Sequence, residues 1–191
     1  MKNTIENKIR EDISPTRNLT GVHLKIVASI AIIWSLFQLW YASPFPFIFN
    51  IGMFKGLPAR AIHLGFALTL AFLIFPTVRG GKINFFDIII SIIGSLCCLY
   101  IYFFYDQLVD RGGILFNLQI TESINLPIEL IIGILGITIL LEATRRVIGI
   151  PLVIIALCFL LFSYFGKYAP EIISHGGLSL KRLVGFQWLD Q

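Results

Sequence analysis

The side chains able to do acid–base, nucleophilic or metal chemistry in this sequence are few and scattered. Three histidines, His23, His63 and His175, stand far apart at the edges of apolar blocks, which offers no metal-ligand spacing. The three cysteines, Cys97, Cys98 and Cys158, form no CxxC pair and lie inside apolar runs, where a thiol packs as a small hydrophobe. Neighbouring Cys97 and Cys98 point in different directions on a helix, so a disulfide between them would be strained. The HExxH, G-x-S-x-G and Walker A motifs do not occur, so neither a catalytic constellation nor a cofactor or metal site is expected.

What remains is a set of ionisable residues at the margins of the apolar blocks. Arg60 and His63 are three positions apart and share one helix face. Asp87 stands one turn into a block, near Lys82, and Glu129 stands near the start of another. Glu142 closes that block, with Arg145 and Arg146 three and four residues later, offsets that allow an intrahelical ion pair. Arg111 lies in a polar connection. Ionisable groups within membrane spans are expensive and mark function by default. A proton or cation path, however, would leave a carboxylate, histidine or asparagine near mid-span, and the middle of each block lacks one. The expected role of these residues is to anchor helices or to hold a partner.

The elements that position them follow from composition. The chain has 191 residues, 57% hydrophobic and 14% charged, with a mean hydropathy of +0.84, against about 25% charged in soluble domains. That excludes a disordered chain, a nucleic-acid-binding domain and an ordinary soluble enzyme, because a soluble fold of this size cannot hide so much apolar surface. Crossing a bilayer takes about 20 mostly apolar residues as a helix. Five segments qualify: 22–41, 59–78, 83–105, 124–141 and 147–165. Their apolar runs are continuous, unlike the alternation of barrel strands, so the expected fold is an all-α integral membrane protein with about five transmembrane helices. Residues 1–21 read as a polar cytoplasmic arm, 22–165 as the transmembrane module, and 166–191 as an outer-face amphipathic segment or linker. The prolines and glycines between Ser43 and Pro58 forbid one regular helix there.

The net charge of +4 is 15 basic against 11 acidic residues, the basic ones placed between apolar blocks, where they orient helices in the lipid bilayer. No nucleic-acid partner is expected. With the N-terminus inside, Lys2, Lys8, Arg10, Arg17, Lys25, Arg79, Lys82, Arg145 and Arg146 fall on the cytoplasmic side, and Lys55, Arg60, Arg111, Lys167, Lys181 and Arg182 fall outside. The bias is clearest at the short loops and predicts N-terminus in, C-terminus out.

Read in order, the polar landmarks form a series: Arg60-xx-His63, Phe75-Pro76, Phe86-Asp87, Arg111-Gly112 and Glu129-xxx-Gly133. It continues with Leu141-Glu142-Ala143-Thr144-Arg145-Arg146-xx-Gly149, Tyr164-x-Gly166, Pro170 and His175-Gly176-Gly177-Leu178-Ser179. From Arg60 to Arg182 this series resembles the N-terminal, small Q-like part of fused TRAP transporter permeases, particularly those associated with TAXI-type solute receptors. The LEATRR-xx-G string is its most specific element. At Glu129 the family more often places an aspartate. The resemblance implies a small scaffold joined to a large M-like permease part, fused or separate, in a bacterial or archaeal cell (inner) membrane. It also implies a periplasmic TAXI-type solute-binding protein as receptor, and uptake of organic acids or similar solutes driven by an ion gradient. Substrate and ion sites would belong to the large part. In the fused family that part follows soon after the Gly-Leu-Ser segment, whereas this sequence ends at Gln191, a departure that leaves a fragment, a split subunit and a truncated product as alternatives.

Two other readings compete. A self-sufficient oligomeric channel or small transporter would gather Arg60, His63 and Glu129 at an outer mouth. An intramembrane enzyme would need Asp87, Glu129, Glu142 or a histidine to converge, against their separation along the spans.

Overall fold

A computed structural model describes residues 16–77, 83–111, 115, 117–121 and 124–189. Most of the predicted arm, together with Arg79, Lys82 and Gly112, lies outside the described residues. The chain divides into two units, 1–99 and 100–191, and the division falls within one long helix.

In the first unit, the apolar run after Thr20 forms α1, Gly21–Ala42. The proline-rich stretch that follows is broken as expected. A single turn of helix, α2 (Phe45–Phe49), stops at Asn50, whose φ of 53° is left-handed. There the Trp40 ring packs against Phe45 and Phe49. Helix α3, Gly56–Ile74, packs on α1. It starts three residues before the predicted span, with Pro58 accommodated in the first turn, where a missing amide costs nothing. It ends before Phe75-Pro76, because the proline disfavours helical backbone in the residue ahead of it.

Helix α4, Phe85–Asp110, runs past the predicted end at Tyr105. Its first half meets α3 through small and polar side chains. Thr69 Oγ1 and Ser95 Oγ are 2.7 Å apart, one donating to the other while the acceptor's own proton goes to a carbonyl one turn earlier in its helix. The β-carbon of Cys98 fits beside Gly65, and Cys97 and Cys98 are buried as packing thiols.

In the second unit, Leu118–Thr121 (β1) pairs antiparallel with Ile124–Leu126 (β2), with a register shift between Gln119 and Thr121. The predicted fourth span therefore begins later than residue 124. Pro127 holds the preceding residue extended and takes the position just before α5, Ile128–Val147. Gly149, at φ 116°, separates α5 from α6, Ile150–Phe165. Four described helices are long and apolar enough to cross a membrane: α1, α3, α4 and the run from Ile150 to Tyr168 that contains α6. Helix α5 matches them in length and carries charges at both ends. Apart from that short hairpin, the architecture is that of a helical, multi-pass membrane protein with four to five spans.

Helix α6 buries none of its own residues, and the expectation that Cys158 is buried fails with it: that thiol is exposed. The segment after α6 folds back. Leu180–Val184 (α7) and the wider π turn Gly185–Leu189 lie across α5. Leu183, Val184, Trp188 and Leu189 are buried, so most of the predicted amphipathic patch is spent on the chain's own helix, while Leu180 stays exposed.

Gly133 and Gly136 form the slot that receives this segment. A β-carbon at Gly133 would overlap Val184, and one at Gly136 would overlap the Trp188 indole. Gly136→Ala is therefore expected to cost about 1–3 kcal/mol by overpacking. In detergent it should lower the thermal midpoint and speed tryptic cleavage at Lys181 and Arg182. Adding Trp188→Ala to that variant should restore part of the midpoint.

Candidate functional site

A helix leaves its last carbonyls and first amides without intrahelical partners, and inside a membrane water cannot satisfy them. Arg17 solves this at the end of α3. Its Nη1 donates to the carbonyl oxygens of Phe72 at 2.8 Å and Leu73 at 3.0 Å, and its backbone amide donates to that of Ile74 at 2.9 Å. Its Nη2 forms an ion pair with Asp87 Oδ2.

Asp87 sits at the third position of α4 and reaches back to accept from the Asn84 amide at 3.3 Å, half of a capping box. Thr77 Oγ1 adds a longer contact of 3.5 Å to Oδ1. Both partners are almost fully buried, Arg17 at 7% and Asp87 at 1% exposure. Positive charge at a helix C-terminus and negative charge at an N-terminus each oppose the local helix dipole. One ion pair thus ties two helix ends together.

The second unit repeats the device. Arg111 directly follows α4, and its Nε donates to the Gln107 carbonyl at 2.9 Å. Its Nη2 pairs with Glu129 Oε1 at 2.6 Å, and Tyr100 donates its hydroxyl to the same oxygen at 3.0 Å. Glu129 is in the first turn of α5 and is fully buried. Again an arginine at one helix end meets a carboxylate at the start of the next.

At the other end of α5, beyond its apolar run, the expected intrahelical pairs form. Glu142 accepts from Arg145 Nε at 2.7 Å and Nη2 at 2.8 Å, and from Arg146 Nε at 2.7 Å. The Arg145 guanidinium, with Arg146 behind it, holds the Glu142 carboxyl below the usual glutamate range.

Arg60 is exposed five residues into α3, within snorkelling reach of the interface. No bond joins it to His63 among the described residues. His63 instead accepts at Nδ1 from Trp34 Nε1 at 3.3 Å, with Gln38 Nε2 3.0 Å from the same atom. His175 lies with its ring against the Cα of Gly166, edge-on to Phe162, and its Nδ1 accepts from the Gly177 amide at 3.2 Å. Gly177 itself has a φ of 70°, the backbone that the His-Gly-Gly turn requires.

Sequence reasoning missed Arg17, assigned to the polar arm, and placed Asp87 with Lys82 instead of a residue 70 positions earlier. The position of Arg17 ahead of the first apolar block is shared with other basic residues and carried no signal of its own. Among the described residues no group of three or more metal-ligating side chains gathers. The carboxylates of Asp87, Glu129 and Glu142 are held in ion pairs at helix ends.

Arg17→Ala should cost about 3–5 kcal/mol by leaving Asp87 buried and uncompensated. Arg17→Met/Asp87→Leu should recover most of that loss in detergent unfolding. For Glu142, a depressed carboxyl pKa means stability that is present above the usual glutamate range and lost as pH falls through the folded value. The wild type and Glu142→Gln should differ by about 0.3–0.5 kcal/mol at neutral pH and converge in acid. No family model, curated protein or solved structure matches this chain.

Proposed function

We propose that this chain is the small membrane part of a TRAP-type secondary transporter, a scaffold that braces a large permease part taking up organic acids or similar solutes with an ion gradient. A periplasmic receptor of the TAXI type delivers the solute in this reading, and the chain itself carries neither the substrate site nor the ion site. The orientation is N-terminus in and C-terminus out.

One observation carries the reading. The buried charged side chains among the described residues, Arg17, Asp87 and Glu129, are all held in ion pairs at helix ends. A transporter that binds its own solute keeps such groups at mid-depth, facing a cavity. The landmarks behind the resemblance also hold structural positions. Asp87, Arg111 and Glu129 make the helix-end ties, Gly133 admits Val184, and Ser179 caps α7 by accepting from the Arg182 amide. Residues held in such positions suit a rigid brace.

The test is reconstitution. The purified chain in liposomes should take up no organic acid under a sodium gradient. Co-expressed with a large multi-span permease, it should co-purify with that protein, and uptake should then require both proteins together with a soluble receptor. Solute uptake by the chain alone would overturn the proposal.

A further inference from the structure

The polar cluster formed by His63, Trp34 and Gln38 is not used by the helix-end ties or by the proposed bracing role. It lies about 6–12 Å inside the ends of α1 and α3, at 1.5 Å rise per residue. His63 and Gln38 are exposed, and Trp34 is half-buried.

The hydrogen bonding fixes the chemistry. An indole nitrogen can only donate, so His63 Nδ1 accepts from Trp34 at 3.3 Å. The neutral ring then carries its proton on Nε2. The Gln38 amide nitrogen, 3.0 Å from the same Nδ1, shares that nitrogen's single lone pair with the indole, which leaves Gln38 Oε1 as an acceptor. Neither His63 Nε2 nor Gln38 Oε1 has a partner among the described residues. A free donor and a free acceptor thus sit side by side within the depth of the bilayer, where hydrocarbon can satisfy neither.

We infer that this face of α1 and α3 is the interface with a second copy of the chain, closed by two reciprocal hydrogen bonds from His63 Nε2 to Gln38 Oε1. In a two-fold dimer with its axis along the membrane normal, each group meets its counterpart at equal depth, and contacts are exchanged in pairs. A self-complementary patch must therefore hold its donor and acceptor at one level. His63 and Gln38 meet that requirement because they are bonded to each other.

A second observation supports the close approach this needs. Ala28, Ala31 and Ser35 precede Gln38 on the same side of α1, and Ala28 and Ser35 are exposed. Small residues let membrane helices come within hydrogen-bonding range. The inference is independent of the transporter assignment.

The test uses the full chain carrying Cys158→Ala, which removes the exposed native thiol. Ser35→Cys in that background should form disulfide-linked dimers in liposomes under oxidation. Ile33→Cys, on the opposite side of α1, should not. Native mass measurement of the unmodified chain should give a dimer. Gln38→Leu and, separately, His63→Phe should each weaken dimerisation about tenfold, since either change removes both bonds. Gln38 is exposed, so its variant keeps the fold and isolates the effect. A monomeric mass, dimers linked through Ile33→Cys in place of Ser35→Cys, or Ser35→Cys captured by a different membrane protein when one is co-expressed would each overturn the inference.

Discussion

A helix that ends within or against a membrane must find partners for its last carbonyls and first amides, and much of this protein follows from how it does so. The same solution occurs twice. Arg17 bonds the carbonyl end of α3 and pairs with Asp87 at the start of α4. Arg111 bonds a carbonyl near the end of α4 and pairs with Glu129 at the start of α5. Arginine suits the task because its planar fork serves a carboxylate and a main-chain oxygen at once and does not lose its proton on burial. Desolvating such a pair is costly, so it adds little net stability over an apolar substitute. Its contribution is to make one pairing of helix ends far better than any other.

The sequence shows the fold class plainly, because continuous apolar blocks have few physical solutions in lipid. Breaks were readable wherever they have a local cause, as with the prolines after Ser43 and the intrahelical offsets of Glu142 with Arg145 and Arg146. The late start of α5 had such a cause in Pro127, but a strand of three residues carries too little pattern to be read. The partner of Asp87 was invisible for a different reason. Arg17 lies 70 positions away, and nothing in its neighbourhood distinguishes it from the other basic residues ahead of the first span. The His63 cluster was half legible: the histidine stood out, while Gln38 and Trp34 read as ordinary members of an apolar run. Pairing across helices is tertiary information, and residue spacing encodes only what lies within one helix.

The glycines at 133 and 136 show a related limit. Small residues spaced like these are common by chance, and the side chains that fill them, Val184 at Gly133 and Trp188 at Gly136, come from a separate segment. Shape and charge divide the labour along α5. A buried carboxylate stands at its start, a smooth slot in its middle and a charge cluster at its close.

Helix α6 has a different character. None of its residues is buried by the rest of the chain, although the turn beyond it is pinned by the Leu178 amide on the Ser163 carbonyl and by the His175 ring against Gly166. It resembles a barrel stave nailed at the rim and bare on all but one face. Away from the half-buried Val153, Ala156 and Leu160, its aliphatic positions are therefore interchangeable as far as the chain's own packing is concerned, and their identities are left to whatever surrounds the stave. Drift in those side chains would record the lipid or neighbour they have lived beside, while Ser163, Gly166 and His175 stay fixed by the nail.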